Sequence, residues 1–346
     1  MGAGTARGGA CLLISGNVRK NMEFVVFAGV LLLLFIFMIV QELIQTKNQE
    51  KLFKKYLREN YGKEPPKEYS LERFARLGSY LERHKEEKQL DDITWNDLGM
   101  DEVFRRIDRT YSAAGEEYLY YTLRNISCGR EALEHLEEVV NWLQEQEDIK
   151  VRIQLLMKRL GHLGKYSLYD YLDNLDYLGE RSNRKIVLGN LLYLPFLLLL
   201  FVQPAMGTIG IVLCMLWHIM TYFREKKVIE PYIISFAYVL RLIDVCEELE
   251  KQKIPVYRRE LDELREVLKS LRELRRGSYW VMAGNQGKIG GNPLDILADY
   301  LRMILHLDIW QFNLMLRKLR LKTNEVDRLL GITGYLDMAI SVGGFR

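Results

Sequence analysis

Residues 186–223 read IVLGNLLYLPFLLLLFV-QPA-MGTIGIVLCMLWHIMTYF. The two runs, Ile186 to Val202 and Met206 to Phe223, carry no Asp, Glu, Lys or Arg, and only Gln203, Pro204 and Ala205 separate them. So short a link joins two helices only as antiparallel neighbours, so the runs form a hairpin. At about 1.5 Å per residue each helix spans about 25 Å, close to the thickness of a bilayer's hydrocarbon core. Asn190, Pro195 and His218 interrupt the apolar character. Pro195 is expected to kink its helix, which membrane helices tolerate. His218 lies four residues before Tyr222. An intramembrane histidine can be functional, but this one is read as an interfacial residue with no further role.

A third run lies upstream. Phe24 to Val40, FVVFAGVLLLLFIFMIV, is 17 residues without a charge, and residues 22–44 are read as a transmembrane anchor. Positive charges flank all three runs. Lys47, Lys51, Lys54, Lys55 and Arg58 follow the first; Arg181, Arg184 and Lys185 precede the second; Arg224, Lys226 and Lys227 follow the third. The hairpin turn has none. The positive-inside rule then predicts a multi-pass protein of the cell membrane, with its soluble segments in the cytoplasm and its N-terminus outside. Residues 1–21 are rich in Gly and Ala and put Arg19 and Lys20 on the outer side. They read as a leader that translation from Met22 would leave out. A cleaved signal peptide is the alternative, but residues 41–49 offer no small-residue cleavage site, which favours an uncleaved anchor.

The rest of the chain expects water. Apolar residues make up 49% and charged residues 27%, with the apolar ones concentrated in the three runs. The net charge of +3 gives no clustered basic excess of the kind that marks nucleic-acid binding. Seven prolines among many Leu, Glu, Lys and Arg predict an all-α protein. Cys11, Cys128, Cys214 and Cys246 form no CxxC pair and read as reduced thiols.

Residues 45–90 read as a charged helical linker broken at Pro65 and Pro66. In 91–185 the spacing places Val103, Phe104 and Ile107 on one helical face, and predicts a second helix with Tyr118, Leu119, Leu123 and Ile126 inward. A third carries Leu133, Leu136, Val140 and Leu143, and a run of tyrosines (Tyr166, Tyr169, Tyr171, Tyr177) leads to the hairpin. In 224–346, Leu261, Leu264, Leu268 and Leu271 form a coiled-coil-like seam flanked by charges. Two sequence halves, 91–185 and 224–346, thus enclose the 186–223 hairpin.

No residue qualifies as catalytic, cofactor-binding or metal-ligating. GNQGKIGG at Gly284 to Gly291 lacks the four-residue spacing and the Ser or Thr of a phosphate loop, and reads as a connection between helices. His84, His135, His162, His218 and His306 are scattered, and the pairs Glu116–Glu117 and Glu137–Glu138 are expected to face solvent. No HExxH or GxSxG motif occurs, so the chain is read as non-enzymatic and without a small-molecule substrate.

Two stretches carry a family resemblance. WNDLGMDEVFRRIDRTYSAAGEEYLYYTLRN, from Trp95, resembles the start of the core domain of the MutS mismatch-repair family, with Thr110, Gly115, Leu123 and Arg124 at its fixed places. GITGYLDMAISVGGFR, from Gly331, resembles the helix that ends the MutS lever and leads into the ATPase domain. The likeness is to membrane-anchored, MutS-related proteins of bacteria, over residues 91–346. It implies a helical core and lever that relays ATP-driven motion of a C-terminal ATPase to DNA, with a homodimer and DNA as partners beside the bilayer. The ATPase domain would begin where the chain stops, at Arg346, so ATP and magnesium are expected only in that missing domain. The alternative reading is a membrane-anchored helical scaffold that pairs with another protein through its leucine seam.

Overall fold

A computed structural model of the chain describes residues 36–41, 43–63, 69, 71–86, 88–126, 129–163, 167–275 and 293–346. The leader, most of the first apolar run, Cys11, Cys128, Pro65, Pro66, Tyr166 and the glycine loop at 284–291 lie outside the described residues. The described structure is all-α: no strand occurs in it, and its one β-bridge, Gln89 to Asn125, is isolated. The chain divides into two units, Met1–Glu59 and Asn60–Arg346. In the first, residues 36–41 and 43–59 are helical, with Phe37, Leu43 and Leu52 exposed.

The second unit is a helical body bearing a hairpin. Its helices are α1 (Leu71–Arg83), α2 (Asp92–Asp97), α3 (Met100–Ile107), α4 (Ala113–Arg124), α5 (Arg130–Glu145), α6 (Glu147–Leu160) and α7 (Leu168–Leu172). The hairpin follows as α8 (Arg184–Leu191), α9 (Tyr193–Val202) and α10 (Pro204–Glu250). Beyond it come α11 (Arg258–Arg275), α12 (Pro293–Leu305), α13 (Leu307–Leu319) and α14 (Thr323–Phe345). Local chemistry sets several boundaries. Asp91 caps α2 by accepting from Thr94 N–H at 2.7 Å. Ser167 and Asp170 form a reciprocal capping box at the start of α7. Pro195 has no N–H to give Leu191, and the helix breaks at Leu192 between α8 and α9. Pro204 opens α10 at a position where a missing N–H costs nothing.

Helix α10 runs for 47 residues, about 70 Å at helical rise, and continues through Pro231. Sequence reading places a boundary at Phe223; the structure carries one helix through it, because Arg224, Glu225, Lys226 and Lys227 keep a helical backbone. Where α9 and α10 meet, a Cβ on Gly207 would stand 2.7 Å from Leu200 N, and one on Gly210 would stand 2.1 Å from a Phe196 ring carbon. Glycine lets the two backbones approach this closely.

Core side chains come from both sides of the hairpin. Val139, Val140, Leu143, Ile153 and Met157 pack in one cluster with Phe236, Leu240, Leu264, Leu271, Leu329 and Leu336. A second cluster joins Leu77 of α1, Trp95 of α2, Phe104 of α3, Leu119 and Tyr120 of α4, and Met338 of α14. Helix α14 is the common wall, packed on α4, α5, α6 and α11. The leucine seam of α11 is closed within the chain: Leu261, Leu264, Leu268 and Leu271 are all buried in the first cluster. The 45–90 segment is not a solvated linker throughout, since α1 buries Arg76, Leu77 and Tyr80. Ile126 is exposed rather than inward, beyond the end of α4, and Leu133 lies exposed on α5.

The hairpin has the opposite character. Leu188, Leu194, Leu198, Phe201, Met206, Leu213 and Met220 all face outward, Phe201 at 88% exposure. Arg184–Val202 and Pro204–Glu250 are long and apolar enough to cross a membrane, with mean hydropathies of 2.1 and 1.6. Only 6% of the apolar window in Arg184–Val202 is buried, unlike the core helix of a water-soluble protein.

Candidate functional site

Two places concentrate buried polar groups. The first is the joint between α4 and α14, where residues 109–115 and 334–341 touch. Asp337 of α14 is fully buried. Its carboxylate accepts from Tyr111 N–H at 3.1 Å, Ser112 N–H at 2.8 Å and Ser112 Oγ at 2.6 Å. Ser112 is the N-cap of α4, and its Oγ accepts in turn from Gly115 N–H at 3.1 Å. The carboxylate therefore sits at the positive end of α4, where free N–H groups and the helix dipole favour an anion. Gly115 makes this approach workable, since a Cβ there would fall 2.3 Å from Asp337 Oδ2. Gly334 does the same on the facing helix, 2.6 Å from Ala114 O. Ser341 extends the joint, accepting from Arg109 N–H and donating to Ile107 O, both at 2.7 Å.

Two of the four carboxylates expected in solvent, Glu116 and Glu117 of α4, are buried instead. Glu116 is fully buried and binds Arg73 Nε at 2.5 Å and Arg76 Nη2 at 2.8 Å. Glu117, 4% exposed, accepts from Ser167 Oγ at 2.9 Å. Burial pushes its carboxyl up to about 8, against the lowering effect of the Ser167 bond and of Arg76. The pair Glu137–Glu138 does lie in solvent. Of the positions that carry the resemblance, Thr110 donates to Asp108 at 2.6 Å and Leu123 is half-buried. Arg124 binds Tyr120 OH, Leu90 O and Asp92, and lies over the Trp95 ring at 4.4 Å. Each fixes the position of a neighbouring segment.

The second place is the base of the hairpin. His218 is 2% exposed, its Nδ1 2.9 Å from Cys214 O and its ring centroid 5.3 Å from that of His306. A Cβ on Gly189 would stand 3.1 Å from His218 Nε2, so glycine lets α8 close over the imidazole. Tyr222 OH donates to buried Asp308 at 2.7 Å, and Asn190 Nδ2 donates to Leu305 O at 3.2 Å. Asn183 reaches Trp310 O at 3.1 Å and accepts from Asn313 Nδ2 at 2.8 Å. The hairpin is thus stapled to the α12–α13 turn. That turn is sharp: His306 has φ 54°, in the left-handed region. Burial, then His218, holds its pKa below the ordinary histidine value.

A cleft of about 760 Å³ opens at this base. Leu188, Leu192 and Trp217 form an apolar side, and Glu180, Arg181, Lys185, Arg224 and Glu225 form a charged rim. Arg181 and Glu225 are ion-paired. Sequence reading took His218 for a bystander and missed the cleft. The histidine on an apolar helix was the available signal, but its neighbour His306 lies more than eighty residues away in the chain.

Among the described residues, no group of His, Cys, Asp or Glu is placed to hold a metal ion. Cys214 and Cys246 are buried free thiols. No family model, curated protein or solved structure matches the chain.

Proposed function

We propose that this chain is a non-catalytic, membrane-anchored coupling module of the MutS core-and-lever type. Its hairpin lies in the bilayer, and its cytoplasmic helical body passes movement between the membrane and its C-terminal helix. The carrying observation is α10: one uninterrupted helix begins in the exposed apolar hairpin and ends in the core that holds α14. One backbone hydrogen-bond ladder, missing a donor at Pro231, links the two ends, and this is the route by which displacement would pass. The MutS reading draws support from the joint, where residues 109–115 and 334–341, the heart of the two resembling stretches, bond to each other through Asp337 and Ser341. In that reading a C-terminal ATPase moves α14, and the joint transmits the movement toward DNA. The scaffold alternative is less favoured, because the leucine seam offered for a partner is buried inside this chain.

Liposome flotation tests the membrane half. The full chain floats with vesicles and resists carbonate extraction, and a chain lacking 24–40 and 186–223 stays in the aqueous layer. Recovery of the full chain in the aqueous layer would refute membrane anchoring. The MutS half is tested by gel retardation of duplex and mismatched DNA with the chain fused to a P-loop ATPase domain of that family. Nucleotide-dependent retardation that the Asp337→Ala change abolishes is expected; retardation indifferent to nucleotide and to Asp337 would leave the scaffold reading.

A further inference from the structure

The cleft at the hairpin base has two unlike halves, and one kind of molecule matches both. Its apolar side is made by Leu188, Leu192 and Trp217, each about half exposed or more. These residues belong to the helices that would enter the bilayer. Its rim carries one exposed carboxylate, Glu180, and two exposed cations, Lys185 and Arg224, that have no carboxylate partner among the described residues. Arg181 on the same rim is neutralised by Glu225, and this pair ties the segment before α8 to α10. The two unpaired cations thus stand where the apolar helices leave the charged body, the level at which lipid phosphates lie. A volume of about 760 Å³ is the size of a small-molecule site.

We propose that this cleft binds one anionic membrane phospholipid, its phosphate between Lys185 and Arg224 and an acyl chain along Leu188, Leu192 and Trp217. This inference rests on the membrane placement of the hairpin. The staples around it give the site a fixed shape: Asn190 to Leu305 O, Asn183 to Trp310 O and Tyr222 to Asp308 tie α8, the segment before it and α10 to the α12–α13 turn. A bound lipid would bridge α8 and α10 at the point where α10 passes from bilayer to body.

Native mass spectrometry of the full chain in detergent, with phosphatidylglycerol or phosphatidylcholine added, tests the proposal. One phosphatidylglycerol per chain should be retained in preference to phosphatidylcholine. Lys185→Glu with Arg224→Glu should weaken that adduct about tenfold or more. Lys185→Arg with Arg224→Lys should keep it. Arg184→Glu with Lys227→Glu reverses two exposed cations at the same level that do not line the cleft, and should leave the adduct intact. Equal loss in both charge-reversed pairs would mean general surface attraction and would overturn the site. Displacement by millimolar inorganic phosphate would mean a phosphate site without a lipid, and would overturn it too. A chain that floats with vesicles yet shows no preferred adduct loses this site alone; a chain that does not float loses the membrane reading first.

Discussion

Asp337 and Gly115 illustrate how one buried carboxylate can organise two helices. Replacing Asp337 by alanine leaves the N–H groups of Tyr111 and Ser112 without their acceptor in a dry place, at a cost of about 3 kcal/mol. Gly115→Ala forces a methyl into the carboxylate and should cost about 1–3 kcal/mol. Together the two changes should cost less than their sum, because shortening Asp337 vacates the space that a methyl on Gly115 needs. Thermal unfolding of the original chain, the two single variants and the double variant in detergent checks this, and strict additivity would contradict the contact. Glu117 gives a pH prediction. Its folded pKa, about 8, lies above the ordinary carboxylate value. The folded state therefore holds a proton that the unfolded state releases, and this contribution to stability is full below about pH 4.5 and is lost as pH rises through about 8. Glu117→Gln should raise the unfolding midpoint by several degrees at pH 8.5 and change it little at pH 4.5; an equal shift at both would count against a protonated Glu117. Sequence reading put Glu116 and Glu117 in solvent because adjacent carboxylates usually repel into water. What draws them inside, Arg73, Arg76 and Ser167, lies forty to fifty residues away, and no local pattern announces it.

At the scale of elements, helix type was legible and helix partnership was not. The uncharged runs of 186–202 and 206–223 were legible as helices long and apolar enough to cross a membrane, and most of their large apolar side chains emerge exposed. The three-and-four spacing of Leu261 to Leu271 correctly marks a buried stripe on α11, but spacing is silent on whether the facing surface belongs to another chain or to α10 and α14 of this one. The continuity of α10 was hidden for a different reason. Four charged residues at 224–227 look like the end of a membrane helix, yet they are equally at home on a helix that continues into water. Pro231 then removes one hydrogen bond without ending the helix, since neighbouring packing holds it. Close packing of α9 on α10 depends on the glycines at their crossing. Gly207→Leu should splay the hairpin, because its Cβ would meet the backbone at Leu200, which cannot step aside. Disulfide formation between cysteines placed at Leu200 and at Thr208, the neighbour of Gly207, reports the spacing: high yield is expected while the glycine is kept and low yield once Gly207→Leu is added. Unchanged yield would mean that the crossing does not need glycine.

The whole second unit behaves, on this architecture, as one folding body interrupted by a hairpin. Helices α1–α7 cannot bury their apolar stripes alone: Val139, Leu143, Ile153 and Met157 close against Phe236, Leu240 and Leu264, which come after the hairpin. Helix α14 likewise has its buried face on α4 and α5, some two hundred residues earlier. The Arg181–Glu225 pair holds the two strands of chain side by side where they leave the body. Removing residues 186–223 and bridging the gap with a short flexible linker should therefore leave a folded protein that stays in water once residues 1–59 are also removed. The cost falls on α12 and α13, because Asp308 loses Tyr222 and Leu305 O loses Asn190. Hydrogen exchange should show that pair as the first part of the joined chain to open, while amides in α4 and α14 remain the slowest. Residues 60–183 alone, or 224–346 alone, should aggregate or bind hydrophobic dye, since each presents to water the apolar face that the other covers. A single half that unfolds cooperatively at the midpoint of the joined chain would show two independent domains, and movement could not then pass from α10 through a common core to α14.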